Sequence, residues 1–365
     1  DFARLVQAVR IAVNDELVGL RQALVSLRER LTAGGVFAVI SYHSGEDRAS
    51  VREASAFGSA WHDPVLVHVV CEALAPCDPV LDGTLGGGGH SAALLAAGHR
   101  VIGLDRDPTA LAAARARLEA PARAGRFEAI LGNHDTIDEV TALADRRFDG
   151  ILLDLGVSSK QIDDDARGFS FRPGVALDMR MDTAQAMTAA DYLNTVEVEA
   201  LTAVFREAGD EPKARRLAQE IVRRRARAPF AVSDDLVGAI RAVLGPRSGP
   251  SDFARLFQAV RIAVNDELDG LRQALVSLRE RLTAGGVFAV ISYHSGEDRV
   301  VKHAFREWST ACTCPPRQPR CSCGGVALGD AVTRKAILAT AEEIARNPRA
   351  RSAKLRVWRR AGEVH

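Results

Sequence analysis

Apolar and polar positions follow two rhythms along this chain. From His62 onward, short apolar runs bounded by turn residues alternate with stretches of helical spacing. Pro79-Val80-Leu81-Asp82, Val101-Ile102-Gly103-Leu104-Asp105, Phe127-Glu128-Ala129-Ile130-Leu131 and Phe148-Asp149-Gly150-Ile151-Leu152-Leu153-Asp154 read as strands. A helix is expected from about Ser91, and another after Asp107-Pro108, which supply an N-cap and a first-turn proline. Strands alternating with helices predict an α/β fold, a parallel sheet covered on both faces. The alternation breaks over 163–250, which is polar and helix-prone (184–208, 211–226, 234–244) and reads as an inserted helical subdomain. Further on, Phe257, Val260, Val264, Leu268, Leu271, Leu275, Leu278 and Leu282 recur at spacings of three and four, one face of a single helix. Gly285-Gly286 is expected to stop it, and strands resume at 286–293 and 354–359.

The second rhythm is a repeat. Residues 1–48 recur at 252–299 and differ only where Val6 faces Phe257 and Val18 faces Asp269. Each copy reads as a helix and a strand, half of a βαβ unit. A fold with one slot for that pair is expected to take 252–299, whose sequence neighbours are also its neighbours in space. Residues 1–48 are then expected to dock loosely, to swap between chains or to promote self-association. Residues 49–61 read as a linker. The sheet domain is expected over 62–162 and 251–365, and the inserted substrate-binding subdomain over 163–250.

Composition narrows the class. The 365 residues are 47% hydrophobic and 26% charged, which excludes disorder throughout. Lys plus Arg is 48 and Asp plus Glu is 47, a net charge of +1, so basic surface has to be local rather than global. No apolar run approaches the ~18–20 residues of a membrane span, and Asp1-Phe2-Ala3-Arg4 lacks the layout of a secretory signal. Six cysteines are too few for a disulfide scaffold, and four fall within 312–323. A reducing, cytoplasmic location is expected.

The chemistry starts at Gly83-Thr84-Leu85-Gly86-Gly87-Gly88-Gly89-His90, between the first strand and its helix, where backbone N–H groups approach a ligand closely. His90-Ser91 stands where a P-loop needs Lys-Ser/Thr, and the dinucleotide fingerprint fails at its last glycine, which makes hydride transfer a poor reading. Asp82 ends the strand before the bend. A carboxylate there repels pyrophosphate but suits the ammonium and sulfonium charges of S-adenosylmethionine. Asp105 ends the second strand, where a carboxylate accepts bonds from ribose hydroxyls.

These residues resemble the RsmH (MraW) family of 16S rRNA cytosine-N4 methyltransferases. The matching runs are DGTLGGGGHS at 82–91, GLDRD at 103–107, DGILLDLGVSS at 149–159, RGFSF at 167–171, LDMRMD at 177–182, FQAVRIAVNDEL at 257–268, ISYHSGEDR at 291–299 and NPRARSAKLR at 347–356. The likeness runs from about His62 to Arg360 and leaves 1–48 as an extension. The chain departs from the family pattern at Gly296, usually leucine, at Tyr293, usually phenylalanine, and at His134, often phenylalanine. The resemblance implies a class I (Rossmann-like) S-adenosylmethionine-dependent methyltransferase sheet with an inserted helical subdomain. It also implies a cytidine of the decoding region of 16S rRNA, in the small ribosomal subunit, as acceptor. Its cofactor contacts carry over to Gly88, Gly89 and His90 for the methionine end, Asp105 for the ribose, His134 for the adenine, and Asp154 with Gln161.

Methylating an exocyclic amine is a direct displacement that needs alignment and a hydrogen-bond acceptor on the amine. Asp154 is the candidate acceptor, Ser158, Ser159 and Ser295 candidate positioning groups, and His294 a candidate for the released proton. His43 is the duplicate of His294 and is assigned no role. For Ser158 and Ser159, turn capping is the competing role. Arg215-Arg216, Arg223-Arg224-Arg225 with Arg227, and Arg346, Arg349, Arg351, Lys354 and Arg356 are candidate RNA contacts, the alternative being solvated faces paired with acids. Cys312, Cys314, Cys321 and Cys323 have a spacing that suits a structural zinc, against reduced, solvated thiols. Two functional alternatives remain: an inactive or RNA-binding scaffold disrupted by the duplication, and a methyltransferase acting on another nucleic-acid amine. DNA amino-methylating enzymes carry a D/N/S-P-P-Y/F run where this chain has Asp154-Leu155-Gly156-Val157.

Overall fold

Strand alternation produces the expected sheet. Along the chain come α1 (Val67–Leu74), β1 (Val80–Asp82), α2 (Gly89–Ala96), β2 (Val101–Asp105), α3 (Pro108–Arg117), the short α4 (Glu119–Arg123), β3 (Phe127–Leu131) and β4 (Phe148–Asp154). Five α-helices follow among the described residues: α5 (Ala189–Thr195), α6 (Val198–Glu207), α7 (Ala214–Arg225), α8 (Ser233–Leu244) and α9 (Pro250–Val264). The chain then returns through α10 (Glu267–Glu280), β5 (Leu282–Ser292), α11 (Ser295–Trp308), β6 (Gly329–Ala331), β7 (Ile337–Leu338), α12 (Ala341–Arg346) and β8 (Lys354–Arg360). This is a computed structural model, and it describes residues 64–156, 164–182, 185–312, 314, 322–323 and 325–362. The chain divides into two units, 1–60 and 61–365. The first copy of the repeat, with its expected loose docking and self-association, and the linker to residue 61 lie outside the described residues.

The strand order is β3-β2-β1-β4-β5-β8-β6, with β7 on β8. The first five strands pair in parallel, and β8 runs antiparallel to β5. Register places Asp82 beside Leu152, Asp105 beside Leu131 and Asp154 beside Ile291. The carboxyl ends of β1, β2 and β4 therefore open onto one crevice, where the strand order reverses and ligands bind in such sheets.

Successive strand residues point to opposite faces, and both faces are apolar. Val80, Leu152, Ala289 and Ile291 enter one core with Leu94 and Leu111. Leu81, Ile151, Leu153, Phe288 and Val290 enter the other with Leu271, Leu275 and Trp308. The α3 helix starts as its sequence dictates: Asp107 Oδ1 accepts from Thr109 N at 2.8 Å and Pro108 opens the first turn.

The inserted helices own a third core, which includes Leu193, Phe205, Leu217, Ile221, Leu236 and Ile240. It also takes in Phe253, Leu256, Phe257 and Val260 of α9. The expected domain boundary at 250/251 therefore does not coincide with the packing, because the apolar face of α9 lies in the helical core. The single helix expected from the apolar stripe is two. Asn265 breaks it: its buried side chain accepts from Met181 N at 2.7 Å and donates to Met179 O at 2.8 Å and Arg261 O at 2.9 Å. Asp266 follows in the left-handed region at φ 50°. Beyond the break, Leu271, Ala274, Leu275 and Leu278 of α10 face the sheet core instead. The helix ends at Glu280, ahead of Gly285-Gly286, and β5 already begins at Leu282, paired with Phe148. Likewise, the helix expected over 184–208 is two helices, the first capped by a Thr188–Asp191 box. The slot between β4 and β8 is filled by the 252–299 copy.

Candidate active site

A cavity of about 400 Å³ opens at the carboxyl ends of β1, β2 and β4. Its floor is the glycine bend, represented by Gly86, Gly87 and Gly89, and its walls include His90, Asp105, His134, Asp154, Tyr293 and His294. The size falls within the ~300–1,000 Å³ usual for small-molecule pockets.

Asp105 shapes one wall. Its two oxygens accept backbone N–H bonds from Gly86 and Asp107, both at 2.8 Å. An ionised carboxylate offers about four acceptor positions, so two remain for hydroxyls of a ligand. Burial pushes its carboxyl above the usual value, opposed by those two N–H groups. His134 lies on the same side, with Nε2 3.2 Å from Asp135 Oδ1. Burial pushes its imidazole below the ordinary value despite Asp135, so a flat, neutral ring is presented at pH 7.

Asp154 forms the opposite wall. Its backbone N–H donates to Thr84 Oγ1 at 2.6 Å, which fixes the end of β4 to the bend. Its Oδ1 accepts from the Tyr293 hydroxyl at 2.8 Å, and its Oδ2 lies 3.5 Å from His90 Nδ1. The His90 ring is held by a 2.8 Å bond in which Nε2 donates to the Val65 carbonyl. Burial raises the Asp154 carboxyl above the ordinary range, while His90 and the Tyr293 hydroxyl pull it back. Tyr293 itself is pushed well above the usual phenol value by burial and by Asp154, so it stays a donor.

Several expected residues sit elsewhere than the sequence suggests. Asp82 is 1% exposed and does not face a ligand. It accepts from Ser91 Oγ at 2.7 Å and from Thr84 N at 3.3 Å, which braces the bend from beneath. Gly88 does not line the cavity. It caps α2 at φ 75°, and a Cβ there would lie 3.0 Å from Leu118 Cδ1, so glycine is needed for the turn and for close packing on α3. Gly89 and His90 do line it. Ser295 does not; its hydroxyl donates to Asp210. His294 reaches the cavity and caps α11: Nδ1 accepts from Glu297 N at 3.4 Å, while the buried Nε2 lies 3.1 Å from Glu297 Oε1 without the geometry of a hydrogen bond. Gly296 provides the space for this cap, since a Cβ there would stand 3.0 Å from His294 Nδ1. Ser158, Ser159 and Gln161 lie outside the described residues.

The expected arginine clusters divide. Arg223 and Arg224 both bind Glu220, at 2.7 Å each, and hold its carboxyl down to about 2. Arg225 donates to the carbonyls of Leu193 and Val196. These three are occupied by their own protein, and the acid the run lacks stands one helical turn earlier. Arg356 is buried against Asp298 at 2.7 Å. Arg215, Arg216, Arg227, Arg346 and Arg351 are exposed, and Arg349 lines the cavity. No described helix is long and apolar enough to cross a membrane.

Comparison with known proteins decides the family. The description "MraW methylase family" matches residues 2–56 and 59–361, so the first copy of the repeat and the rest of the chain are both matched. The chain belongs to the MraW methylase family. A relative from Gemmatimonas aurantiaca, ribosomal RNA small subunit methyltransferase H, is 61% identical over 301 residues, covering 82% of this chain and 96% of its own length. Relatives of the same name from Anaeromyxobacter and Heliobacterium mobile are 50% and 46% identical over 306 residues each, covering 81% of this chain and 96% and 97% of their own lengths. Among solved structures, an rRNA methylase from Streptococcus thermophilus is 12% identical with a TM-score of 0.36, covering 83% of this chain and 99% of its own. The class I methyltransferase fold of this family member is read from its strand order, with β8 antiparallel beside five parallel strands.

Sequence reasoning missed the Tyr293–Asp154 bond and the role of Glu297. The parallel register of β4 and β5, which sets Asp154 beside Ile291, is the missing information. The one sequence signal was the tyrosine itself, a hydroxyl where the family usually carries phenylalanine.

Proposed function

We propose that this chain transfers the methyl group of S-adenosylmethionine to the exocyclic N4 amine of a cytidine in the decoding region of 16S rRNA. Membership of the MraW methylase family supports the reaction class. The observation that carries the reading is the single cavity with Asp105 and His134 on one wall and Asp154 on the other. The residues present fit the donor: free acceptor positions on Asp105 for ribose hydroxyls, the flat face of His134 for adenine, and the backbone of Gly86, Gly87 and Gly89 with His90 for the methionine end. When bound, the donor supplies an electrophilic methyl on a sulfonium.

Asp154 then accepts a hydrogen bond from the cytosine amine. This favours the pyramidal nitrogen whose lone pair can attack, and alignment does the rest. A bond forms from N4 to the methyl carbon, the sulfur–carbon bond breaks with its electron pair returning to sulfur, and N4 loses a proton. Asp154, with its carboxyl raised by burial, takes that proton, and His294 caps the start of α11 beside it. The target base has to enter unstacked. Exposed Arg215, Arg216, Arg227, Arg346 and Arg351 supply cations for the phosphates around it. An open cavity along the glycine bend favours this reading over an inactive scaffold, and a ribosomal acceptor supports a cytoplasmic location.

The test is transfer of labelled methyl to small ribosomal subunits from a strain lacking the modification, with nucleoside analysis. Label in N4-methylcytidine is expected. Label in another nucleoside, or none, overturns the assignment.

A further inference from the structure

We infer that Cys312, Cys314 and Cys323 form a structural zinc site, apart from the cavity, that pins the loop between α11 and β6. Their sulfurs all lie within 4.8 Å of one another, and Cys323 Sγ stands 3.9 Å from Cys312 Sγ. That separation is far beyond the ~2.05 Å of a disulfide. It does match zinc: thiolates about 2.3 Å from a tetrahedral ion lie about 3.8 Å from one another. Cys314 Sγ also accepts the Ser322 N–H at 3.4 Å, the kind of outer-shell bond that orients a thiolate ligand. Cys321 lies outside the described residues.

The loop supplies the physical need. It runs some twenty residues from the end of α11 at Trp308 to Gly329, and its sequence is rich in Pro, Gly and Arg. Its stem is held: Leu328 N donates to Trp308 O at 2.8 Å and Trp358 Nε1 donates to Ser309 Oγ at 3.1 Å. At its β6 end the apolar side chains are exposed, Val326 at 81% and Leu328 at 48%. Closing a loop of this length costs chain entropy. A metal clip offsets it, and binding releases the thiol protons to solvent as thiolates form.

The test uses the whole chain purified under reducing conditions without chelator. About one zinc per chain by elemental analysis is expected. After exchange, cobalt(II) should show thiolate-to-metal charge-transfer absorption. The double variant Cys312→Ser with Cys323→Ser should lose both signals while still binding S-adenosylhomocysteine, because neither residue touches the cavity. Substoichiometric zinc in the parent chain, a Cys312–Cys323 disulfide in place of metal, or full zinc retention by the double variant would each overturn the assignment. The parent measurement stands even where the variant folds poorly.

Discussion

The Tyr293 hydroxyl donates to Asp154 Oδ1 at 2.8 Å, linking the ends of two adjacent parallel strands across the wall of the cavity. The bond fixes which carboxylate oxygen faces the open space and steadies the ionised form of a group that burial pushes toward neutrality. Tyr293→Phe removes the donor and leaves the shape. The Asp154 carboxyl then rises further, so the acidic limb of the pH–rate profile moves to higher pH, by about one to two units for a hydrogen bond to a charged group worth ~1.5–3 kcal/mol. A profile superimposable on the parent's removes Asp154 from the titrating step.

The same raised carboxyl makes donor binding pH-dependent. A sulfonium beside Asp154 favours the ionised form, so S-adenosylmethionine should bind more tightly as pH rises through the Asp154 titration. S-adenosylhomocysteine lacks the transferable methyl and with it that positive charge, and should show a shallower dependence. Titration calorimetry of both ligands from pH 5 to 8 compares the slopes. Equal slopes mean that no cation sits near Asp154.

Asp105→Ala deletes the acceptor assigned to the ribose and also releases the N–H groups of Gly86 and Asp107. Losing one or two charge-assisted bonds of ~1.5–3 kcal/mol predicts a donor dissociation constant raised at least tenfold. Calorimetry with S-adenosylhomocysteine reads this directly, and unchanged affinity excludes Asp105 from the site.

Because residues 252–299 supply α9, α10 and β5 to the described fold, a chain lacking 1–60 should keep its thermal midpoint and its donor affinity. Differential scanning calorimetry of the shortened chain checks this. Loss of cooperative unfolding would mean that the first copy is part of the fold.

Much of this architecture is legible in the sequence because its signals are local. Apolar runs ending in Asp82, Asp105 and Asp154 mark strands, and the glycines between β1 and α2 mark the bend. What escapes depends on partners distant along the chain. The apolar stripe through 257–282 is continuous, yet Asn265 meets the backbone of Met179 and Met181 and turns one helix into two, facing different cores. Asp82 has the right position for a ligand contact, but Ser91 and Thr84 take its oxygens. The arginines at 223 and 224 look uncompensated in a linear window, although Glu220 stands at three- and four-residue helical spacing, and that signal was readable.

The central claim is that one cavity holds the methyl donor along the glycine bend with its sulfur toward Asp154. A crystal structure of the chain with S-adenosylhomocysteine tests it most directly. The predicted complex has the ribose hydroxyls on Asp105, the adenine against His134 and the sulfur on the Asp154 side of the cavity. A ligand bound elsewhere, or one that leaves both Asp105 and Asp154 without contact, would contradict it.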